Sequence, residues 1–172
     1  GSVNIAAHID KNNNLDVKKL EKTIRTAMRM LDNVIDYNYY SVEKALTSNA
    51  RHRPVGLGIM GFQDALYKLR IPYASEEAVE FADKSMEQIS YFALRSSMEL
   101  SKERGPYQTF DGSLWSQGIL PIDSLRNFKE VRGKYLDVNM DQTLDWDTLR
   151  EEIKTNGMRN SNSLAIAPTA TI

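Results

Sequence analysis

Two threonines close to the C-terminus have the residue type and spacing of an anion-binding loop. Thr169 and Thr171 follow Pro168 and are separated only by Ala170. Small residues let a phosphate group approach backbone N–H groups closely, and threonine hydroxyls add further hydrogen-bond donors. A strand that simply ends at a proline turn has the same residue types, so the stretch 160–172 predicts either a phosphate-binding loop or an ordinary strand exit.

Several other kinds of chemistry lack the residues that they need. The sequence contains no cysteine, which excludes disulfides, thiolate metal ligands and thiol catalysis within the chain. Its only imidazoles, His8 and His52, lie far apart in the sequence. Such isolated histidines are expected to be surface or packing residues rather than a metal pair. We therefore expect no metal site in this chain.

Charged side chains offer acid–base chemistry or phosphate binding as alternatives. Asp36 and Glu43 fall on the polar faces of predicted helices, so a solvated surface role is expected for both. Arg51 and Arg53 flank His52 and could bind phosphate. A solvent-facing basic turn is the simpler interpretation of these two arginines, and it is the one we adopt.

Composition limits the classes of protein to which the chain can belong. It has 172 residues, of which 41% are hydrophobic and 26% charged, as expected for one compact domain. The formal net charge is -1, so no basic excess favours a nucleic-acid polymer or an anionic membrane surface. No apolar run approaches the roughly 18 residues of a membrane span, and residues 1–9 do not resemble a signal peptide. We expect a cytoplasmic location.

The elements that would position the loop are mostly helices. Asp16 is a plausible N-cap for a helix whose apolar residues recur every three or four positions through Ile35. Ser75, followed by two glutamates, is a plausible N-cap for a long helix over about 76–104, which Gly105 should end. The expected order is an extended stretch at 1–9, helices over 16–104, an irregular region at 105–144 with one short helix after Pro121, a helix at 145–156, and a strand leading into the loop at 164–172. The predicted fold class is mainly α with a few short strands.

Three stretches carry a resemblance to a known family. The first is GSVNIAAH at 1–8, the second is RHRPVGLGIMGFQDAL at 51–66, and the third combines Trp146 and Leu149 with GMRN at 157–160 and APTATI at 167–172. In this order and spacing they resemble the large, catalytic subunit of ribonucleotide reductase of the aerobic bacterial, class I type. Because they are spread from one end of the chain to the other, it is identified as an internal fragment of that subunit.

The resemblance implies a fold and a reaction. Members of the family form a ten-stranded α/β barrel and reduce ribonucleoside diphosphates to 2′-deoxyribonucleoside diphosphates by radical chemistry, which supplies DNA precursors for replication. In that family the loop that matches residues 168–172 binds the substrate diphosphate. The resemblance therefore implies that four residues contact the substrate: Thr169, Ala170, Thr171 and Ile172.

The resemblance also implies what lies outside the chain. The catalytic cysteines would be elsewhere, the first of them shortly before Gly1, so the isolated chain is expected to be inactive and to hold no cofactor. The complete enzyme would be allosteric, with nucleotide effectors, and would take its radical from a metal-containing small subunit or from adenosylcobalamin. Its partners would be the rest of the catalytic subunit and a ribonucleoside diphosphate. Alternatives are an assembly module of a split subunit, or a stand-alone phosphate-binding helical domain, and self-association of the fragment is expected.

Overall fold

The computed structural model describes residues 1–133 and 139–168, and helices dominate these ranges. The strands are β1 (Ser2–Asn4) and β2 (Gly58–Met60), with a short 3-10 helix at Ile5–His8. The α-helices are α1 (Val17–Tyr37), α2 (Glu43–His52), α3 (Phe62–Leu69), α4 (Glu76–Arg104), α5 (Pro121–Val131) and α6 (Trp146–Asn156). None of the helices in the described ranges is both long enough and apolar enough to cross a membrane.

The two long helices begin at the predicted caps and form the main helix pair. The Asp16 carboxylate accepts a hydrogen bond from the Lys19 backbone N–H at 3.0 Å, and the Ser75 hydroxyl oxygen accepts one from the Ala78 N–H at 3.2 Å. Both helix starts are therefore confirmed. α1 and α4 pack against each other, and the apolar face of α1 is fully buried in a first core cluster at Leu20, Ile24 and Met28.

A strand interrupts the region 16–104 that was predicted to be helical. Pro54 cannot continue α2, and the chain then runs extended into β2, which pairs in parallel with β1. In this register Ser2, Val3 and Asn4 lie opposite Gly58, Ile59 and Met60. The helices predicted over 16–104 did not include this strand. It forms where Gly58 lets another backbone approach closely, since a Cβ there would lie 2.4 Å from the Ala165 carbonyl oxygen.

Residues 162–165 run alongside residues 55–57, which directly precede β2. The Val55 N–H donates to the Asn162 carbonyl at 3.0 Å, and the Ala165 N–H donates to the Leu57 carbonyl at 3.1 Å. A single parallel bridge joins Leu57 to Leu164. The strand predicted from residue 164 is thus reduced to this bridge, and its continuation over 169–172 lies outside the described residues.

The region 105–144, predicted to be irregular apart from one short helix after Pro121, contains α5 at that place. Pro121 occupies its first turn, where a missing N–H costs nothing, and the Asp123 carboxylate accepts from the Leu120 N–H at 2.8 Å. α6 begins after the Asp145 cap, as predicted, and ends at Gly157. Its apolar face belongs to a second core cluster of nine buried residues: Leu94, Met98, Tyr107, Phe110, Leu120, Trp146, Leu149, Ile153 and Met158.

Candidate functional site

The four predicted substrate contacts, Thr169, Ala170, Thr171 and Ile172, lie outside the described residues. Their role stays a prediction. The structure does describe the chain up to Pro168, which directly precedes them. The site is therefore described through the residues that lead to Pro168 and those that surround them.

A cleft lies where β1, β2 and the residues after 162–165 come together. Because these segments are parallel, their carboxyl ends meet at one edge, which is where ligands bind in parallel α/β sheets. We call this cavity the strand-end cleft, and one of its lining residues, Ala167, directly precedes Pro168. It is lined by Asn4, Ile59, Met60, Gly61, Phe62, Gln63, Asp64, Ile166 and Ala167.

Gly61 lets the backbone turn sharply from β2 into α3 at this cleft. Its φ of 71° is in the left-handed region, and a Cβ added there would lie 2.5 Å from the Asn4 side-chain oxygen. That oxygen already accepts a hydrogen bond from the Ala6 N–H at 3.1 Å. The turn brings the positive N-terminal end of α3 to the cleft, although Asp64 in its first turn offsets part of that charge.

The buried carboxylate of Asp32 binds side chains from several segments of the chain. Asp32 of α1 is 0% exposed, and its oxygens accept from Arg53 Nε at 2.9 Å, Arg104 Nη1 at 3.0 Å and Arg159 Nε at 3.3 Å. These four residues together with Asp36 are here called the Asp32 cluster. It gathers α1, the end of α2, the end of α4 and the segment after α6 at one point.

Arg53 is not the solvent-facing residue that the sequence suggested. Its side chain is 7% exposed, and both terminal nitrogens donate to the Asp36 carboxylate, at 2.7 and 2.8 Å. Burial alone would lower the pKa of Arg53, but its hydrogen bonds to Asp36 and Asp32 outweigh burial and raise that pKa. The expectation failed because α1 presents two carboxylates one helical turn apart, which a planar guanidinium can bridge.

Asp36 also departs from the simple surface role predicted for it. Its side chain is 58% exposed, yet the hydrogen bonds from Arg53 lower its pKa below the usual range for an aspartate. The sequence did contain a signal for the two neighbouring carboxylates of α1. Asp32 and Asp36 are spaced four residues apart on a predicted helix, and that spacing places two carboxylates on one face.

Asn160 has every hydrogen-bonding group of its amide side chain satisfied inside the protein. Its Nδ2 donates to Asp32 at 3.3 Å and to the Arg53 carbonyl at 3.1 Å, and its Oδ1 accepts from the Ser97 hydroxyl at 2.9 Å. The Asn160 backbone N–H in turn donates to the Ser97 oxygen at 3.0 Å. A buried amide with no unpaired group fixes the backbone at this position closely.

The histidines serve packing, as predicted. His8 is buried, with Nδ1 2.9 Å from the Asn4 carbonyl oxygen and Nε2 2.9 Å from the Thr23 hydroxyl. His52 Nδ1 lies 2.7 Å from the Thr109 hydroxyl. Across the described ranges, no three His, Asp or Glu side chains are grouped so that they could hold a metal ion.

Helices packed around parallel strand segments, with a cleft at the strand ends, are the features expected of a piece of a large α/β barrel. A family model described as the ribonucleotide reductase barrel domain matches residues 1–172. The chain therefore belongs to the ribonucleotide reductase barrel-domain family, and the assignment made from the sequence is confirmed. The predicted fold class, mainly helical as a piece of that barrel, is confirmed with it.

Similar proteins include large subunits of ribonucleoside-diphosphate reductase from distant organisms. The alpha subunit of Chlamydia muridarum is 53% identical over 174 residues, which is 100% of this chain and 16% of that protein. The alpha subunit of Helicobacter pylori is 42% identical over 154 residues, covering 89% of this chain and 19% of that protein. The large subunit of Plasmodium falciparum is 44% identical over 153 residues, covering 89% of this chain and 18% of that protein. The chain thus spans less than a fifth of each of these relatives.

Proposed function

We propose that this chain is a part of a ribonucleotide reductase large subunit, and that it contributes the loop at residues 168–172 to the binding of the substrate diphosphate. The complete subunit would reduce ribonucleoside diphosphates to 2′-deoxyribonucleoside diphosphates. The observation that carries the proposal is the match of the barrel-domain family over residues 1–172. The names of the relatives, all ribonucleoside-diphosphate reductase subunits, support it.

The geometry before Pro168 supports a role for the residues that follow it. The pairing of 162–165 with residues 55–57 brings the chain to the strand-end cleft, where the N-terminal end of α3 also lies. We assign substrate contacts to Thr169, Ala170, Thr171 and Ile172, with the threonine hydroxyls and backbone N–H groups as donors to phosphate oxygens.

The remaining chemistry is assigned to other residues and partners. The sequence has no cysteine, so the thiols that reduction requires must come from elsewhere in a complete subunit. We place nucleotide effectors, and a radical from a metal-containing small subunit or from adenosylcobalamin, outside this chain as well. A cytoplasmic location, where these nucleotides occur, is part of the same proposal.

A chimeric subunit tests the proposal directly. In it, residues 1–172 replace the matching segment of the Chlamydia muridarum alpha subunit, to which they are 53% identical. We expect this chimeric subunit, with its small subunit, effector and a dithiol, to form deoxyribonucleotide. A folded chimeric subunit that binds effector but reduces no ribonucleotide would contradict the proposal.

The substrate contacts are tested in the same chimeric subunit. Replacing both Thr169 and Thr171 by valine removes two donors to a charged group, so KM for the diphosphate should rise about tenfold or more. The matched control is Thr155→Val on the exposed surface of α6, which should leave KM unchanged. Equal effects of the two changes would argue against the assigned contacts.

A second candidate is an assembly module that docks to other pieces of a split subunit. Exposed apolar side chains on α1 and just after it favour this candidate, namely Met30, Val34, Tyr37 and Tyr39. Mixing the chain with the complementary segments of a reductase subunit should then restore nucleotide reduction. Absence of any association between the pieces would contradict it.

A further inference from the structure

The segment that leads to the strand-end cleft is held on both sides before it pairs with residues 55–57. The Arg159 N–H donates to the Ser97 carbonyl of α4 at 3.1 Å, and the Ser161 N–H donates to the His52 carbonyl of α2 at 3.0 Å. The Trp115 indole N–H donates to the Ser161 carbonyl at 2.9 Å. The backbone is thus fixed at residues 159–161, a short distance in sequence before Pro168.

The side chains at the start of this segment converge on one carboxylate. Arg159 donates to Asp32 Oδ2 at 3.3 Å, and Asn160 donates to Asp32 Oδ1 at 3.3 Å. Arg53, which precedes the segment that pairs with 162–165, donates to the same Oδ1 at 2.9 Å. Asp32 therefore contacts residues at the start of both segments, the one after Arg53 and the one after Arg159. The pairing of these two segments leads the chain to the cleft.

The charge of Asp32 is what holds these partners together. Three guanidinium groups surround it. Two more exposed carboxylates lie at the edge of this group, Asp36 beside Arg53 and Glu103 at 3.4 Å from Arg104 Nε. An asparagine at position 32 would keep the shape of the side chain but lose its charge. Arg53, Arg104 and Arg159 would then repel one another without a buried counter-charge, and they would relax apart.

We propose that Asp32 is a positioning residue for the substrate site: through Arg53, Arg159 and Asn160 it holds the backbone of residues 159–165, which leads to Pro168. This inference rests on the function proposed above. Asp32 does not touch the strand-end cleft, so its effect on substrate is indirect. A displacement of about 1 Å in a binding group can reduce the rate of an enzyme by about a hundredfold.

Steady-state kinetics of the chimeric subunit can separate this role from a purely structural one. Loss of folded protein lowers the apparent kcat in proportion and leaves KM unchanged, whereas a displaced loop raises KM. We expect Asp32→Asn to raise KM for the diphosphate about tenfold or more. Arg159→Lys keeps the charge but loses the fixed geometry of the guanidinium, and it should raise KM in the same direction.

The control is Leu20→Ala, which removes a fully buried side chain from the same helix. It should lower the melting temperature without changing KM, because Leu20 belongs to the first core cluster and not to the Asp32 cluster. If the Asp32→Asn variant does not fold, the KM of the Arg159→Lys variant alone tests the positioning role.

The outcomes separate the two proposals. An active chimeric subunit in which both variants keep the parent KM would overturn the positioning role and leave the proposed function standing. The positioning role would also be overturned if Leu20→Ala raised KM as much as Asp32→Asn. An inactive parent subunit would remove the proposed function and this inference with it.

Discussion

Arg53 and Asp32 form an ion pair with an Nε–Oδ1 distance of 2.9 Å, and their side chains are 7% and 0% exposed. Arg53 occupies the left-handed region at the end of α2, with φ 46° and ψ 48°, a conformation that costs about 1–2 kcal/mol for a residue with a Cβ. The pairing with two carboxylates offsets that cost. The pair thus joins two helices through a strained residue.

Loss of Arg53 should therefore be among the most damaging single changes in the chain. We expect Arg53→Ala to lower the free energy of unfolding by about 3–5 kcal/mol, because Asp32 would lose its nearest buried counter-charge. Urea denaturation followed by circular dichroism measures this. Arg51→Ala, at an exposed position in the last turn of α2, is the matched control and should change stability by less than about 0.5 kcal/mol. Similar losses for the two variants would refute the assigned role.

Gly58→Ala should separate β2 from the segment 162–165. An added Cβ would lie 2.4 Å from the Ala165 carbonyl oxygen, closer than real contacts allow. We expect a loss of about 1–3 kcal/mol and faster hydrogen exchange of the Ala165 N–H. Gly112→Ala is the comparison, since a Cβ there meets nothing within 4 Å and only the φ of 81° opposes it. Unchanged exchange at Ala165 in the Gly58 variant would contradict the predicted clash.

Stability at acid pH should depend on Glu87. Burial would raise the pKa of Glu87, but hydrogen bonds from Thr143, Trp146 and Leu144 outweigh burial and lower that pKa below 4.5. A carboxylate with a lowered pKa stabilises the fold above its unfolded pKa, and this contribution is lost as pH falls through the folded value.

The corresponding measurement is the free energy of unfolding of Glu87→Gln from neutral pH down to about 3. The variant should be less stable than the parent near neutral pH, and the difference should shrink as the pH falls below 4.5. Glu130→Gln, at an exposed position of α5, is the control and should run parallel to the parent. A constant difference between Glu87→Gln and the parent across this range would show that ionisation of Glu87 does not matter.

The isolated chain should self-associate through α1 and the residues after it. Met30, Val34 and Tyr37 are 62%, 56% and 95% exposed, and their spacing places them on one helix face. Val34→Glu should weaken the association measured by sedimentation at rising concentration. Val79→Glu, at a 70% exposed valine of α4, is the matched control and should leave the association unchanged. A parent chain that stays monomeric at high concentration would contradict this prediction.

The isolated chain should also be unable to reduce any ribonucleotide. A dithiol reductant supplies electrons, but the sequence offers no thiol to receive a radical or to exchange with a disulfide. Incubation of the chain with ribonucleoside diphosphates and chromatography of the products tests this. Any turnover above that of a heat-denatured sample would overturn the argument from missing cysteines.

Features fixed by neighbouring residues were predictable from sequence. The caps at Asp16, Ser75 and Asp145 satisfy backbone N–H groups within three residues, so the starts of α1, α4 and α6 follow from local pattern alone. The family assignment was also available, because its motifs are long and ordered.

Features fixed by distant residues were not predictable in this way. Arg53 looked like a surface residue because its partners, Asp32 and Asp36, lie 21 and 17 positions away. Asn160 is separated from Asp32 by 128 positions. Local pattern contains no information on such pairs, and only the family resemblance pointed to residues 157–160 as important.

The parallel arrangement of the strand segments has a consequence for how the chain folds. Ser2 pairs with Gly58, and Leu57 pairs with Leu164, so each pairing closes a long loop and must overcome its entropy before any hydrogen bond is gained. The helices that lie within those loops form from local contacts and can dock early. The segment that leads to the strand-end cleft is therefore expected to be the last part to fold and the first to open, so its rigidity depends on the completed packing of the helices around it.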